Sequence, residues 1–162
     1  MTEHVVFVVR GIPVPQGSLK PIRSASTGRA IVLPPAKLAE WRQRIALAAG
    51  DAMGERPPFA GAISLSLRLA MPGPRGDYGT GRNAERLKPS APPHHVKRPD
   101  LDKLTRAVKD ALTGTVYGDD SQVVRLEASK LYADASHAPG RDGGRGVPGV
   151  LIEIMVDDGA AP

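Results

Sequence analysis

Residues 97–124 read KRPDLDKLTRAVKDALTGTVYGDDSQVV, and their pattern decides the architecture. Leu101, Leu104, Val108, Ala111 and Leu112 fall on one face at helical spacing, so Asp100–Leu112 is expected to be a helix. Pro99 disfavours helix in the residue before it and sets the entry geometry. Gly114 supplies a C-terminal cap. Beyond the turn at Gly118-Asp119-Asp120 the period changes, and Gln122–Tyr132 reads as a strand. Upstream, Ile63, Leu65, Leu67 and Leu69 alternate with Ser64, Ser66 and Arg68, the period-two signature of a half-buried strand over Gly61–Ala70.

Working outward, His4–Arg10 is rich in β-branched residues and reads as a first strand. A break from Gly11 to Ser18 follows, then a loose hairpin from Leu19–Ile22 and Ala30–Leu33 around a turn-rich centre. After Pro34-Pro35, Ala36–Met53 is a helix with Leu38, Trp41, Ile45, Ala48 and Ala49 inward and Arg42, Gln43 and Arg44 outward. Met71–Pro99 is a long basic loop, Ala133–Gly149 a Gly-rich loop, Val150–Val156 a closing strand and 157–162 a short disordered tail. The expected fold is a single α+β domain with a small mixed sheet and two main helices.

The chain has 162 residues, enough for one domain with a real core. Only 4% are aromatic, so that core must be mainly aliphatic. There is no cysteine, which removes disulfides, thiolate metal sites and thiol catalysis together. No apolar run approaches the roughly 20 residues of a membrane span, and the N-terminus reads as a strand and not a signal peptide. The protein is therefore expected in the cytoplasm. Lys and Arg outnumber Asp and Glu by 22 to 17, which suits a nucleic-acid partner without requiring one.

Two acidic pairs stand out. Asp100 and Asp102 open the second helix, where acids also serve as caps and dipole partners. Asp119 and Asp120 lie in a turn, where Asp is a common turn former. Whether the pairs meet depends on the strand order, which the sequence leaves open. If they do, carboxylates without His or Cys make a hard, oxygen-only site that favours Mg²⁺ or Mn²⁺. Such an ion polarises a water for attack on phosphorus and neutralises phosphate charge.

The ordered set Lys97-Arg98-Pro99-Asp100-Leu101-Asp102-Lys103-Leu104, Lys109-Asp110-Ala111-Leu112 and Asp119-Asp120-Ser121-Gln122-Val123-Val124 closely resembles the RusA family of Holliday-junction resolvases. The strong match covers about a quarter of the chain, near residues 94–132, and the remaining layout agrees. The resemblance implies a homodimeric, Mg²⁺-dependent endonuclease that cuts four-way DNA junctions in recombination and repair. The cuts would be paired, symmetric nicks leaving 5′-phosphate ends. It implies that Asp100, Asp102 and Asp120 are the metal-binding and catalytic acids, with Asp119 a neighbouring helper. A two-fold dimer suits the substrate, because two equivalent sites then face two equivalent strands.

Two positions depart from the family pattern. The residue after Asp102 is commonly Asn and is Lys103 here; the usual functional lysine four residues after Asp102 is Arg106. Arginine stabilises phosphate charge through its fork but does not readily give up a proton. Lys103 or Lys109 is an alternative basic partner, although Lys109 also reads as a solvated helix-face charge and Asp110 as an i, i+4 partner of Arg106. Lys130 either reaches phosphate or is a plain strand-face charge. His94 and His95 read as exposed. Lys97, Arg98, Lys103, Arg75, Arg82, Arg86 and Lys88 are the expected contacts to DNA backbone. Rival readings are a nuclease of broader branched-DNA choice, a non-catalytic junction-binding protein, and a basic α+β domain whose acids merely cap its helices.

Overall fold

Strand β4 (Ile63–Met71) runs through the middle of the sheet, and its sequence explains why. Ile63, Leu65, Leu67 and Leu69 are each at most 2% exposed, while Ser64 and Ser66 are half-buried and Arg68 is exposed on the other face. A computed structural model describes residues 3–17, 22–23, 25–31, 34–133, 147–157 and 159. Its main sheet adds β1 (His4–Arg10), β5 (Val123–Tyr132) and β6 (Gly149–Val156), in the order β1-β6-β4-β5. The β1–β6 and β6–β4 pairs are antiparallel, and β4–β5 is parallel. The expected mixed sheet is therefore present.

A parallel pair cannot be closed by a hairpin, so the chain must cross over between β4 and β5. Helix α2 (Leu101–Leu112) makes that crossing. Its inner face buries Leu104, Ala107, Val108, Ala111 and Leu112. Helix α1 (Ala36–Met53) packs against α2 and β1, burying Leu38, Trp41, Ile45, Ala49 and Met53. One aliphatic core joins these faces to Ile152 and Ile154 of β6. At the end of α2, Gly114 takes φ 84°, the left-handed conformation a non-glycine residue resists, and its N–H bonds to Tyr117 O at 2.7 Å.

The boundaries differ from the expected ones in instructive ways. Asp100 precedes α2 as its N-cap, and the stretch Asp120–Gln122 is a short 3₁₀ turn before β5 starts at Val123. Of the expected hairpin, β2 (Ile22–Arg23) pairs with β3 (Ala30–Ile31), and residues 19–21 and 32–33 lie outside the described ones. Most of the expected Gly-rich loop and tail also lie outside them. The basic stretch after β4 carries 3₁₀ turns at Arg75–Asp77 and Gly81–Asn83, and Tyr78 bridges to Leu87. In β5 the register slips by one residue: Val123 pairs with Ile63 but Arg125 with Ser64, leaving Val124 as a bulge, 64% exposed. Among the described residues, no helix is long and apolar enough to cross a membrane.

Leu67 sits in the centre of β4 at 1% exposure, paired with Ala128 and Ile152 on the flanking strands, where the surrounding core cannot all collapse into a void. Leu67→Ala is expected to lower unfolding free energy by about 2–5 kcal/mol, read as a lower urea midpoint at unchanged m-value.

Candidate functional site

Asp102, Arg106 and Lys109 recur along α2 at i, i+4 and i+7, which places them on one face. That face looks across a cavity of about 520 Å³ toward Asp120, Leu126 and Ala128, with Leu101 and Thr105 completing the wall. The topology explains the company. Because α2 returns antiparallel to the strands it connects, its start lies near the end of β4 and its end near the start of β5. Asp102 thus occupies one end of the groove and Asp120 the other, separated by about 10 Å of helix rise between positions 102 and 109. Among the described residues, no three His, Cys, Asp or Glu side chains are placed to hold one metal ion. One acid of each pair, Asp102 and Asp120, lines the groove, and the pairs do not form a compact cage.

At the Asp120 end, Lys109 Nζ lies 3.4 Å from Asp120 Oδ2, and the lysine side chain is only 25% exposed. Lys109 is therefore a groove residue and not the solvated helix-face charge its position suggested. Asp119 caps the 3₁₀ turn: its Oδ1 accepts from Ser121 N at 2.8 Å. That hydrogen bond holds the Asp119 carboxyl below the usual carboxylate range. Gln122 completes a capping box with Asp119. Buried Tyr117 donates its hydroxyl to Lys109 O at 3.0 Å, tying the turn after α2 back to the helix end. Burial first, then the nearby Asp120 and Asp110 charges, pushes the Tyr117 hydroxyl pKa well up.

At the other end, Asp100 holds the N-cap position, yet its side chain makes no capping bond. Its Oδ2 instead meets Lys103 Nζ at 3.1 Å, and that bond and charge draw the Asp100 carboxyl below its ordinary value. Asp100 does not line the cavity. Lys130, on β5, donates to Lys97 O at 2.6 Å and Pro99 O at 2.9 Å. It ties down the segment that enters α2, a role that neither reading of its sequence position supplied.

Two further expectations are corrected. Asp110 pairs not with Arg106 but with Gln16, whose Nε2 donates to Asp110 Oδ2 while its backbone N–H bonds to Lys103 O at 2.9 Å. The early loop thus docks on α2, a long-range contact that local spacing does not announce. His95 is buried at 4% exposure, stacked edge-on against Tyr132 with its Nε2 3.2 Å from Pro72 O. His94 is exposed as expected. Arg75, Arg82, Arg86, Lys88, Lys97 and Arg98 all project from the surface, and Lys88 Nζ also donates to Gly76 O at 2.9 Å.

Comparison with known proteins bears on the whole arrangement. The family model described as Endodeoxyribonuclease RusA matches residues 13–138, which includes both ends of the groove. A protein of Bacillus subtilis (strain 168), named "Uncharacterized protein YqaN", is 33% identical over 137 residues, covering 80% of this chain and 89% of its own length.

Lys130→Met keeps the side chain's bulk and removes both ammonium bonds. It is expected to cost about 1–2 kcal/mol in a urea melt and to speed hydrogen exchange in residues 97–101. For Asp119, a depressed folded pKa means that its stabilisation is present above the unfolded value, near 4, and is lost as pH falls through the folded one. Asp119→Asn should therefore flatten the acid limb of the stability–pH profile in a thermal-melt series from pH 7 to about pH 3.

Proposed function

Because the chain belongs to the RusA endodeoxyribonuclease family, we propose that it is a magnesium-dependent nuclease that resolves four-way DNA junctions by paired symmetric nicks. The nicks would leave 5′-phosphate ends, and the setting would be recombination, repair or phage DNA processing in the cytoplasm. The observation that carries this reading is the groove in which Asp102 and Asp120 face the same space as Arg106 and Lys109.

The donors suit the ion. Carboxylate oxygens are hard ligands, and magnesium is commonly held by one or two carboxylates plus substrate phosphates, keeping several waters, instead of by an all-protein cage. A groove with two acids opening into it supplies that kind of partial shell. Asp102 and Asp120 would hold the ion, or Mn²⁺ in its place, from the two ends of the groove through its retained waters, with Asp100 a further acid beside Asp102. When bound, magnesium supplies an acidified water and neutralises phosphate charge.

The chain's own residues do the rest. Arg106 offers a planar fork to phosphate oxygens, and Lys109 sets a second positive charge against the same strand. Asp119 keeps the turn that carries Asp120 in shape and does not act on the ion directly. Lys97, Arg98, Lys103, Arg82, Arg86 and Lys88 form the sequence-independent, salt-dependent hold on DNA backbone. Lys130 acts by fixing the segment 97–99 and not through phosphate. A homodimer would present two equivalent grooves to the two strands that are cut.

The test compares a labelled four-way junction with a fork and a linear duplex, with and without Mg²⁺, using wild type, Asp102→Asn and Asp120→Asn. Wild type is expected to nick the junction symmetrically only with Mg²⁺, and each Asn variant to be slower by about 100-fold or more. Equal cleavage by wild type and both variants would overturn the assigned site. Equal cutting of forks and junctions would replace junction resolution by broader branched-DNA cleavage. Binding without cleavage would leave a junction-binding protein.

A further inference from the structure

We infer that Gln122 is a positioning residue for Asp120, through a four-bond carboxamide clamp that fastens the acid-bearing turn to the sheet. The inference rests on the reading of Asp120 as a functional acid.

The geometry is complete on its own terms. Gln122 Oε1 accepts from Gly118 N at 2.8 Å and from Asp119 N at 3.0 Å. Its Nε2 donates to Phe59 O at 3.1 Å and to Gly61 O at 2.9 Å. A carboxamide has two lone pairs and two protons to offer, and all four are used here, each on a backbone group. The orientation is self-consistent, because a flipped amide would set its NH₂ against two N–H groups and its oxygen against two carbonyls. Phe59 N bonds to Val116 O at 2.7 Å, a second tie between the same two chain segments.

This wiring assigns the two acids of the groove to different bodies. Asp102 rides on α2, whereas the turn carrying Asp120 is bolted to residues 59–61, the lead-in to β4. The turn at Asp120 is therefore tied to the sheet, while the Lys109–Asp120 contact and the Tyr117 hydroxyl bond to Lys109 O cross back to the helix.

A purely structural staple would have a different energetic profile. Gly118, Asp119 and Gly61 are exposed, so water can satisfy three of the four backbone groups that a lost Gln122 would leave, and the Phe59 carbonyl is the one that belongs to a buried residue. The fold then loses little, while the carboxylate two residues away gains freedom that metal binding has to remove. Removal of the clamp should separate stability from function.

Gln122→Met keeps length and bulk without hydrogen bonds; Gln122→Glu keeps the two acceptor bonds to the turn but turns both donor bonds into repulsion between a carboxylate oxygen and the Phe59 and Gly61 carbonyls. Full-length proteins are compared by thermal melt, by Mn²⁺ binding without DNA (water-proton relaxation), by junction binding without metal, and by single-turnover cleavage. Expected are a melting temperature within a few degrees of wild type, Mn²⁺ affinity about tenfold weaker, cleavage about 10–100-fold slower and metal-free junction binding within about twofold. Both variants lose the anchor to the sheet and should be impaired in the same direction, the Glu variant at least as much as the Met variant. If the Met variant does not fold, the Glu variant carries the test. Unchanged Mn²⁺ affinity and cleavage rate in a folded variant would overturn the clamp, as would a loss of cleavage matched by an equal loss of junction binding. Asp120→Asn, run alongside, separates the two claims. If it cleaves like wild type, the site reading itself fails; if it is inactive while Gln122→Met is intact, only the clamp fails.

Discussion

Parallel pairing between β4 and β5 is the constraint from which the rest of this structure follows. Two neighbouring parallel strands oblige the chain to travel back along the sheet before the second can start, and α2 is that return path. Its inner face is fixed by burial of Leu104, Val108 and Leu112 at 0% exposure, so its outer polar face has little freedom to rotate. Asp102, Arg106 and Lys109 are held over the margin of β5 as a result, and the turn before β5 brings Asp120 to the same groove. Packing of aliphatic side chains thereby sets the placement of four charges.

Those charges are not left to repel one another. Asp100 is countered by Lys103 and Asp120 by Lys109, while Arg106 stands between the groove ends. Ion pairs this close to the surface contribute little to folding. Their value lies in local neutrality. A basic surface would otherwise draw DNA phosphate toward a row of bare carboxylates, and lysines can exchange a carboxylate for a phosphate oxygen with small reorganisation. The anchoring contacts behave differently: Lys130, Tyr117 and Gln122 spend their polar groups on backbone carbonyls and amides, fixing the segments on which the charged residues stand.

Much of this was legible in residue order. Alternation in Ile63–Leu69 and the helical spacing of Leu101–Leu112 report periodic burial, and periodic burial is what both elements have. The spaced acids identified the RusA family, and the family match bears that out. What spacing could not convey was distance between elements separated along the chain. Asp110 is taken by Gln16 from 94 positions away, and Lys109 finds Asp120 only because the strands are parallel neighbours. His95 misled for a related reason: a Pro-rich, polar neighbourhood suggests exposure, yet Tyr132 from β5 covers it. Asp119 and Asp120 are adjacent and chemically identical, but one caps a turn and the other faces the groove, a division made by backbone direction.

The slipped register at Val124 has a consequence beyond its own bulge. In a strand, odd and even positions face opposite ways, so one additional residue acts like a frameshift in the side-chain alternation. With Val124 set aside, Leu126 lies beside Leu65 and Ala128 beside Leu67, giving the groove an apolar floor. Were Val124 paired as a regular strand residue, Arg125 and Glu127 would take those places, and the cavity beneath α2 would be lined with charge. The bulging of a single valine, most of it in solvent, thus decides which parity of β5 the acidic groove sees. Deleting Val124 would straighten the strand and keep this floor, whereas drawing it into the ladder would exchange one surface for the other without altering any residue of the site.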